Sequence, residues 1–272
     1  MRLTTRIAGF AYCAGDDPSP SPAWVPAGTR RRMDAFARIA TVAVDRLVGA
    51  RRLEPETAMV LSTSYGAVDS TFRFVGSIAA YRDEAASPTP FTTSVHNAAA
   101  GALGELLGLH GPATTVSQGG LGTLSALRWA TLMLGAGRAP AVLAVLGDRH
   151  NEWSRGVVAA LAQTRFPIGD GVVACLIETG PGPGRELRLG THPAAVSLDG
   201  AALDAEDERE LARRASAAGQ QRLIAPELIG RWWPACLLAA LDGRWQDDAP
   251  LALRECEDGI IEEAWLGPYV AA

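Results

Sequence analysis

One stretch constrains the fold of this chain more than any other: His110-Gly-Pro-Ala-Thr-Thr-Val-Ser-Gln-Gly-Gly-Leu-Gly-Thr-Leu-Ser-Ala-Leu-Arg128. Gly111-Pro112 reads as a turn. Ala113 to Ser117 reads as a short strand, Gly119-Gly120 as a tight elbow, and Leu121 to Leu134 as an amphipathic helix. A strand that feeds a helix through so short a link presents the elbow side chain outward, next to a helix N-terminus that stabilises negative charge. That layout suits a nucleophile. The residue there is Gln118, whose amide donates and accepts hydrogen bonds but offers no useful route to a covalent acyl intermediate.

The rest of the chain repeats the alternation of strand and helix. Strands are expected at Arg2 to Gly9, Thr57 to Ser62, Ala141 to Leu146 and Val172 to Ile177. Helices are expected at Arg31 to Ala50, Ala67 to Tyr81 and Thr93 to Leu107. Asp16 to Thr29 is a Pro/Ser-rich loop, and Ser87 to Pro90 breaks the chain. Such alternation argues for an α/β layered fold. Pro181-Gly-Pro-Gly184 marks a composition break and a candidate boundary. Beyond it the pattern predicts a strand at Glu186 to Gly190, helices near Asp204 to Ala218 and Pro226 to Asp242, and two strands, Pro250 to Glu255 and Ile260 to Leu266, joined by a turn at Asp258-Gly259.

Composition narrows the function. With 272 residues and 48% hydrophobic content the chain can bury a large core. A net charge of −5 argues against a nucleic-acid surface. All 25 basic residues are Arg, which reads as the codon bias of a GC-rich bacterial genome and excludes a P-loop lysine and Schiff-base chemistry. Cys13, Cys175, Cys236 and Cys256 form no CxxC pair, so neither a zinc site nor a redox pair is expected. Cys175 and Cys236 read as small core residues. No metal or other cofactor is expected. With no apolar stretch long enough to cross a bilayer, the expected location is the cytoplasm.

The segment around Gln118 resembles the active-site region of β-ketoacyl synthases, the condensing enzymes of fatty acid and polyketide synthesis. Gly111-Pro112, Thr115-Val116-Ser117 and Gly119-Gly120 follow that register, with Gln118 at the position of the reactive Cys. Ser94-Val-His-Asn-Ala-Ala-Ala-Gly101 resembles the family's Asn-Ala-x-Ala-Gly helix. Ile168-Gly-Asp-Gly-Val-Val-Ala-Cys-Leu-Ile-Glu178 resembles the Gly-x-Gly strand that closes its N-terminal half. The resemblance implies a layered thiolase-like α/β fold, truncated, with a ketosynthase-like N-terminal domain over residues 1–180 and a reduced C-terminal region over 181–272 packed on it. It also implies that two catalytic histidines should lie in the second half. The only histidine there is His192, and Thr191-His192-Pro193 matches neither family motif.

Gln at the Cys position is the mark of chain length factor subunits in type II polyketide systems, and of decarboxylating loading ketosynthases. The first resemblance implies a non-catalytic subunit in type II polyketide, aryl polyene or fatty-acid-like synthesis. It would pair with an active ketosynthase as a heterodimer and meet acyl carrier protein indirectly. Its tunnel or interface residues would be Phe91, Thr93, His96, Thr115, Ser117 and Gln118, with Ala113 to Ser117 as the pairing strand. The second implies a malonyl-ACP decarboxylase, which needs donors to stabilise an enolate. A third reading is a stand-alone, homodimeric thiolase-fold binding protein.

Plainer readings stand beside these. Gln118 can be a turn residue of an unrelated fold. Ser94 or Asn97 can serve as the helix cap, with His96 half exposed. Asp148-Arg-His-Asn-Glu152 collects polar groups after a buried strand, an end that often carries function in α/β sheets, and reads more plainly as a solvated loop; His110 and His150 read as surface residues. Trp232, Trp233, Trp245 and Trp265 fit either a partner surface or a compact tail core.

Overall fold

The structure, a computed structural model, describes residues 4–49, 52–81, 88–118, 122–162, 170–193, 251–257 and 260–271. The helices expected near 204–218 and 226–242, the Gly119-Gly120 elbow, the Asp258-Gly259 turn and Trp232, Trp233 and Trp245 lie outside the described residues.

In chain order the elements are β1 (Thr5–Ala14), α1 (Ala27–Arg32), α2 (Ala35–Val48), β2 (Ala58–Ser62), α3 (Val68–Tyr81), α4 (Pro88–Phe91), α5 (Ala98–Leu107) and β3 (Ala113–Val116). They continue with α6 (Gly122–Gly135), β4 (Ala141–Asp148), α7 (Glu152–Ala162), β5 (Gly171–Thr179), β6 (Gly184–Pro193), β7 (Leu251–Glu257) and β8 (Ile260–Val270). The strands form one sheet in the order β3-β2-β4-β5-β1-β6-β8-β7. β2 runs parallel to β3 and β4, and the remaining pairings are antiparallel.

Strand periodicity explains the layers. Along β4, Val142, Ala144 and Leu146 point into a core shared with Leu124, Leu127, Ala130 and Leu134 of α6. Leu143 and Val145 point the other way, into a core shared with α2 and α5. Because both faces are covered, β2, β4 and β5 are apolar almost without interruption. A fully buried leucine such as Leu127 or Leu143 contributes about 2 kcal/mol through the area it removes from water.

Among the described residues the expected strands and helices are present with shifted boundaries, but Pro88 to Pro90, expected to break the chain, begin the short helix α4 (Pro88–Phe91). The helix expected over Arg31 to Ala50 is two helices. Met33 and Asp34 separate them, and the Asp34 carboxylate accepts from the Ala37 amide at 2.7 Å, starting α2 as an N-cap. The helix expected from Thr93 begins at Ala98, and 92–97 form turns. Neither capping expectation is met: Asn97 makes no side-chain cap, and Ser94 Oγ donates back to the Phe91 carbonyl at 2.8 Å. α7 had no counterpart in the sequence reading. Gly111 shows why the turn before β3 takes glycine: a Cβ there would stand 2.4 Å from the Glu56 carbonyl oxygen.

Candidate functional site

Three parallel strands end side by side, and their carboxyl ends carry the polar groups of the molecule's most unusual region. In an α/β sheet this is the edge where ligands and partners are met. Gln118 lies two residues past β3, Thr63 to Gly66 follow β2, and Asp148 to His150 close β4.

The centre of this edge is buried, against the expectation of a solvated loop. Asp148 Oδ1 accepts from Thr63 Oγ1 at 2.7 Å, the Ser64 amide at 2.8 Å and the Tyr65 amide at 2.6 Å. Burial pushes the Asp148 carboxyl above its ordinary pKa, and these hydrogen bonds and His150 only partly oppose it. Thr63 Oγ1 in turn accepts from the Gly66 amide at 2.9 Å. Gly66 leaves no room for a Cβ, which would meet Phe36 of α2 at 2.7 Å.

His150 is 2% exposed and not a surface residue. Its amide donates to Asp170 Oδ1 at 2.9 Å and its Nδ1 lies 3.2 Å from the same oxygen. The imidazole packs on Tyr65 with ring centroids 5.0 Å apart, and its Nε2 has no hydrogen-bond partner. Asp170 also pairs with Arg149 and, at 2.8 Å, with Arg155 of α7. Burial alone would raise Asp170, but the bonds from His150 and Arg149 and the charge of Arg155 outweigh it and hold the carboxyl at about 2. The sequence sets Asp148, Arg149 and His150 in one polar stretch but gives no sign of Asp170, which lies 20 residues beyond His150 and meets it through the pairing of β4 with β5.

Around this centre lie the residues singled out from the sequence. Gln118 and Ser117 are exposed, and Thr115 is half-buried with its hydroxyl unpartnered. β3, which carries Thr115 opposite Leu61 of β2, stands at one edge of the sheet formed by the described residues. His96 is exposed, and its Nε2 lies 3.1 Å from the Ser64 carbonyl. Thr93 Oγ1 donates to Ser70 Oγ at 2.9 Å, and Phe91 packs on Phe74 with centroids 5.0 Å apart. Phe91, Thr93 and His96 therefore line one side of the edge, against α3 and the turn before it. Gln118, Ser117 and Thr115 share β3 and its exit.

Two further features surround the site. Phe72 on α3 stacks against Trp153 on α7, and both are about half exposed, as are Val75, Phe91 and Val95. A patch of this kind marks an interaction surface more often than chance. Arg31 and Arg32 of α1 and Arg38 of α2 are also exposed, and Phe36 of α2 lies against Gly66.

The chemistry available is limited. Gln118 offers a hydrogen-bonding amide and no nucleophile. The described thiols lie elsewhere: burial pushes Cys13 up to about 11 and Cys175 up to about 12, so neither supplies a thiolate near neutral pH. Among the described residues, no group of three or more His, Cys, Asp or Glu side chains is placed to hold a metal ion, and no helix is long and apolar enough to cross a membrane.

Comparison with known proteins places this geometry. Residues 8–180 match the sequence profile of the β-ketoacyl synthase N-terminal domain. The structure of the ishigamide ketosynthase/chain length factor superposes with a TM-score of 0.76 at 18% identity, over 98% of this chain and 100% of that one. A type II PKS acyl-carrier protein in complex with its ketosynthase bound to the hexaketide gives 0.77 at 14%, over 98% and 100%. A ketosynthase in complex with its chain length factor from Xenorhabdus doucetiae gives 0.62 at 17%, over 97% and 99%. At these identities the likeness is one of fold: the layered α/β architecture of the ketosynthases. No curated protein matches the sequence.

Proposed function

Since this chain belongs to the β-ketoacyl synthase family through its N-terminal domain, we propose that it is a non-catalytic, chain-length-factor-like subunit. It pairs with an active ketosynthase in type II polyketide, polyene or fatty-acid-like synthesis. The observation that carries this reading is Gln118, an exposed amide at the exit of the edge strand, where the family places its nucleophile. A covalent acyl-enzyme needs a thiolate or activated hydroxyl at that point.

Two surfaces support the pairing. Among the described residues β3 has a strand neighbour on one side only, and an unpaired edge is completed by a strand from another chain or covered. The second is the exposed aromatic face of α3, α4 and α7. Phe91, Thr93, His96, Thr115, Ser117 and Gln118 are the proposed interface and tunnel residues. Arg31, Arg32 and Arg38 give a basic rim suited to the acidic surface of a carrier protein. The division into 1–180 and 181–272, and a cytoplasmic location, belong to the same proposal.

The test is co-expression with a full-length ketosynthase from the same gene neighbourhood, followed by size-exclusion chromatography with light scattering. A 1:1 complex is expected. Intact-mass spectrometry after incubation of the chain alone with acyl-ACP should show no adduct. A covalent adduct, robust Gln118-dependent conversion of malonyl-ACP to acetyl-ACP, or a monomer or homodimer that ignores the ketosynthase would each overturn the reading.

A further inference from the structure

We propose that Asp148 is a positioning residue for the Thr93–His96 segment, acting through the turn at Thr63 to Gly66. This deepens the pairing function above, on which it rests only for what the segment goes on to contact.

Three donors converge on one carboxylate oxygen: the Thr63 hydroxyl and the amides of Ser64 and Tyr65, all within 2.8 Å. Water could serve such donors at a surface turn. Here a buried carboxylate does so, and an ionisable group out of water persists only where its partners hold it. On its outer side the turn carries the segment. The Ser64 carbonyl meets His96 Nε2 at 3.1 Å, Thr71 Oγ1 donates to the Ser94 carbonyl at 3.1 Å, and Thr93 Oγ1 donates to Ser70 Oγ at 2.9 Å. These contacts all fall on residues 64–71, whose first members Asp148 holds.

Asp148 is itself fixed from within. It is the last residue of β4 and pairs with Gly171 of β5. Two residues on, His150 is bonded to Asp170 and packed on Tyr65. The path thus runs from the buried β4–β5 pair, through one carboxylate, to the exposed segment at the edge. Without Asp148 the two amides and one hydroxyl lose their acceptor, and the turn must rearrange to satisfy them. An asparagine keeps an acceptor oxygen in place.

The experiment uses the full-length chain and its own four histidines. The imidazole NMR resonance of His96 is assigned with His96→Gln and followed in Asp148→Ala and Asp148→Asn. Amide hydrogen exchange at 93–96 is measured in parallel. In Asp148→Ala the His96 resonance should move to that of a free imidazole, and exchange at 93–96 should accelerate about tenfold. Asp148→Asn should restore both.

A folded Asp148→Ala with an unchanged His96 resonance overturns the proposal. Equal disruption by both substitutions also overturns it, because a packing defect and not the lost acceptor would then be responsible. If Asp148→Ala does not fold, Thr63→Val removes one of the three donors and should give a smaller shift of the same sign; no shift overturns the proposal. Both readouts are taken without a partner. Failure to bind a ketosynthase therefore counts against the pairing function, while an unmoved His96 counts against the positioning role.

Discussion

α2 and α3 are both 14 residues long and similarly apolar, yet they end in opposite environments. α2 buries Phe36, Ile39, Val42 and Val44 against the sheet. On α3 only Ser70 is buried, while Phe72 is 45% and Val75 57% exposed. Periodicity shows that a helix has an apolar face and not what covers it. In α2 the cover is the chain's own sheet. In α3 the apolar side chains Phe72 and Val75 stay about half exposed. The contrast separates residues that hold this fold from residues that it leaves exposed, which the proposed pairing would use.

The sharpest way to break the contrast is a matched pair of truncations. Phe36→Ala should cost about 3–5 kcal/mol of stability, as buried aromatic truncations do. Phe72→Ala should stay within about 0.5 kcal/mol in the isolated chain. Urea melts of both variants check this, and equal losses would erase the distinction.

The complement is measured on the complex. Phe72→Asp together with Val75→Asp should leave the chain folded and weaken association with the ketosynthase by tenfold or more, about 1.4 kcal/mol. Light scattering across a dilution series reads this out. Thr115→Pro should weaken the same association by removing a backbone donor from β3; a melt of the isolated chain separates that effect from misfolding.

A smaller test concerns the polar centre between the two regions. The Asp170 carboxyl is held at about 2 against an ordinary 3.8, so its native contacts contribute stability above pH 3.8 that is lost as pH falls through 2. Asp148 works with the opposite sign: its raised pKa means that stability is lost as pH rises through the folded value. Asp170→Asn should therefore flatten the acid limb of a stability–pH curve between 3.8 and 2. An unchanged limb would remove Asp170 from the account. The smallest effect expected is Asp34→Ala, about 1 kcal/mol from loss of the α2 cap, visible as a lowered Tm.

Much of this was legible before the structure. The segment around Gln118 set the turn, the strand and the following helix, because each depends on neighbours a few residues away. β2, β4 and β5 were readable from unbroken apolar runs, and the family from three motifs in order. The same local logic failed at boundaries. It merged α1 with α2 across Met33-Asp34, where one capping carboxylate restarts the helix, and it began α5 five residues early at Thr93.

The candidate site divides in the same way. That Gln118 cannot act as a nucleophile is a property of its side chain, so the sequence alone determined it. That β3 stands at the edge, that His150 is sealed against Asp170 and Tyr65, and that α3 turns aromatic residues outward could not be read from any window of residues. Each follows from strand order and from pairings between distant segments: β4 with β5, β2 with β3, and α3 against α7. Chemistry at a position is carried by the residue. Burial, and with it the shift of a carboxyl or the availability of a face, is conferred by what the rest of the chain packs against it.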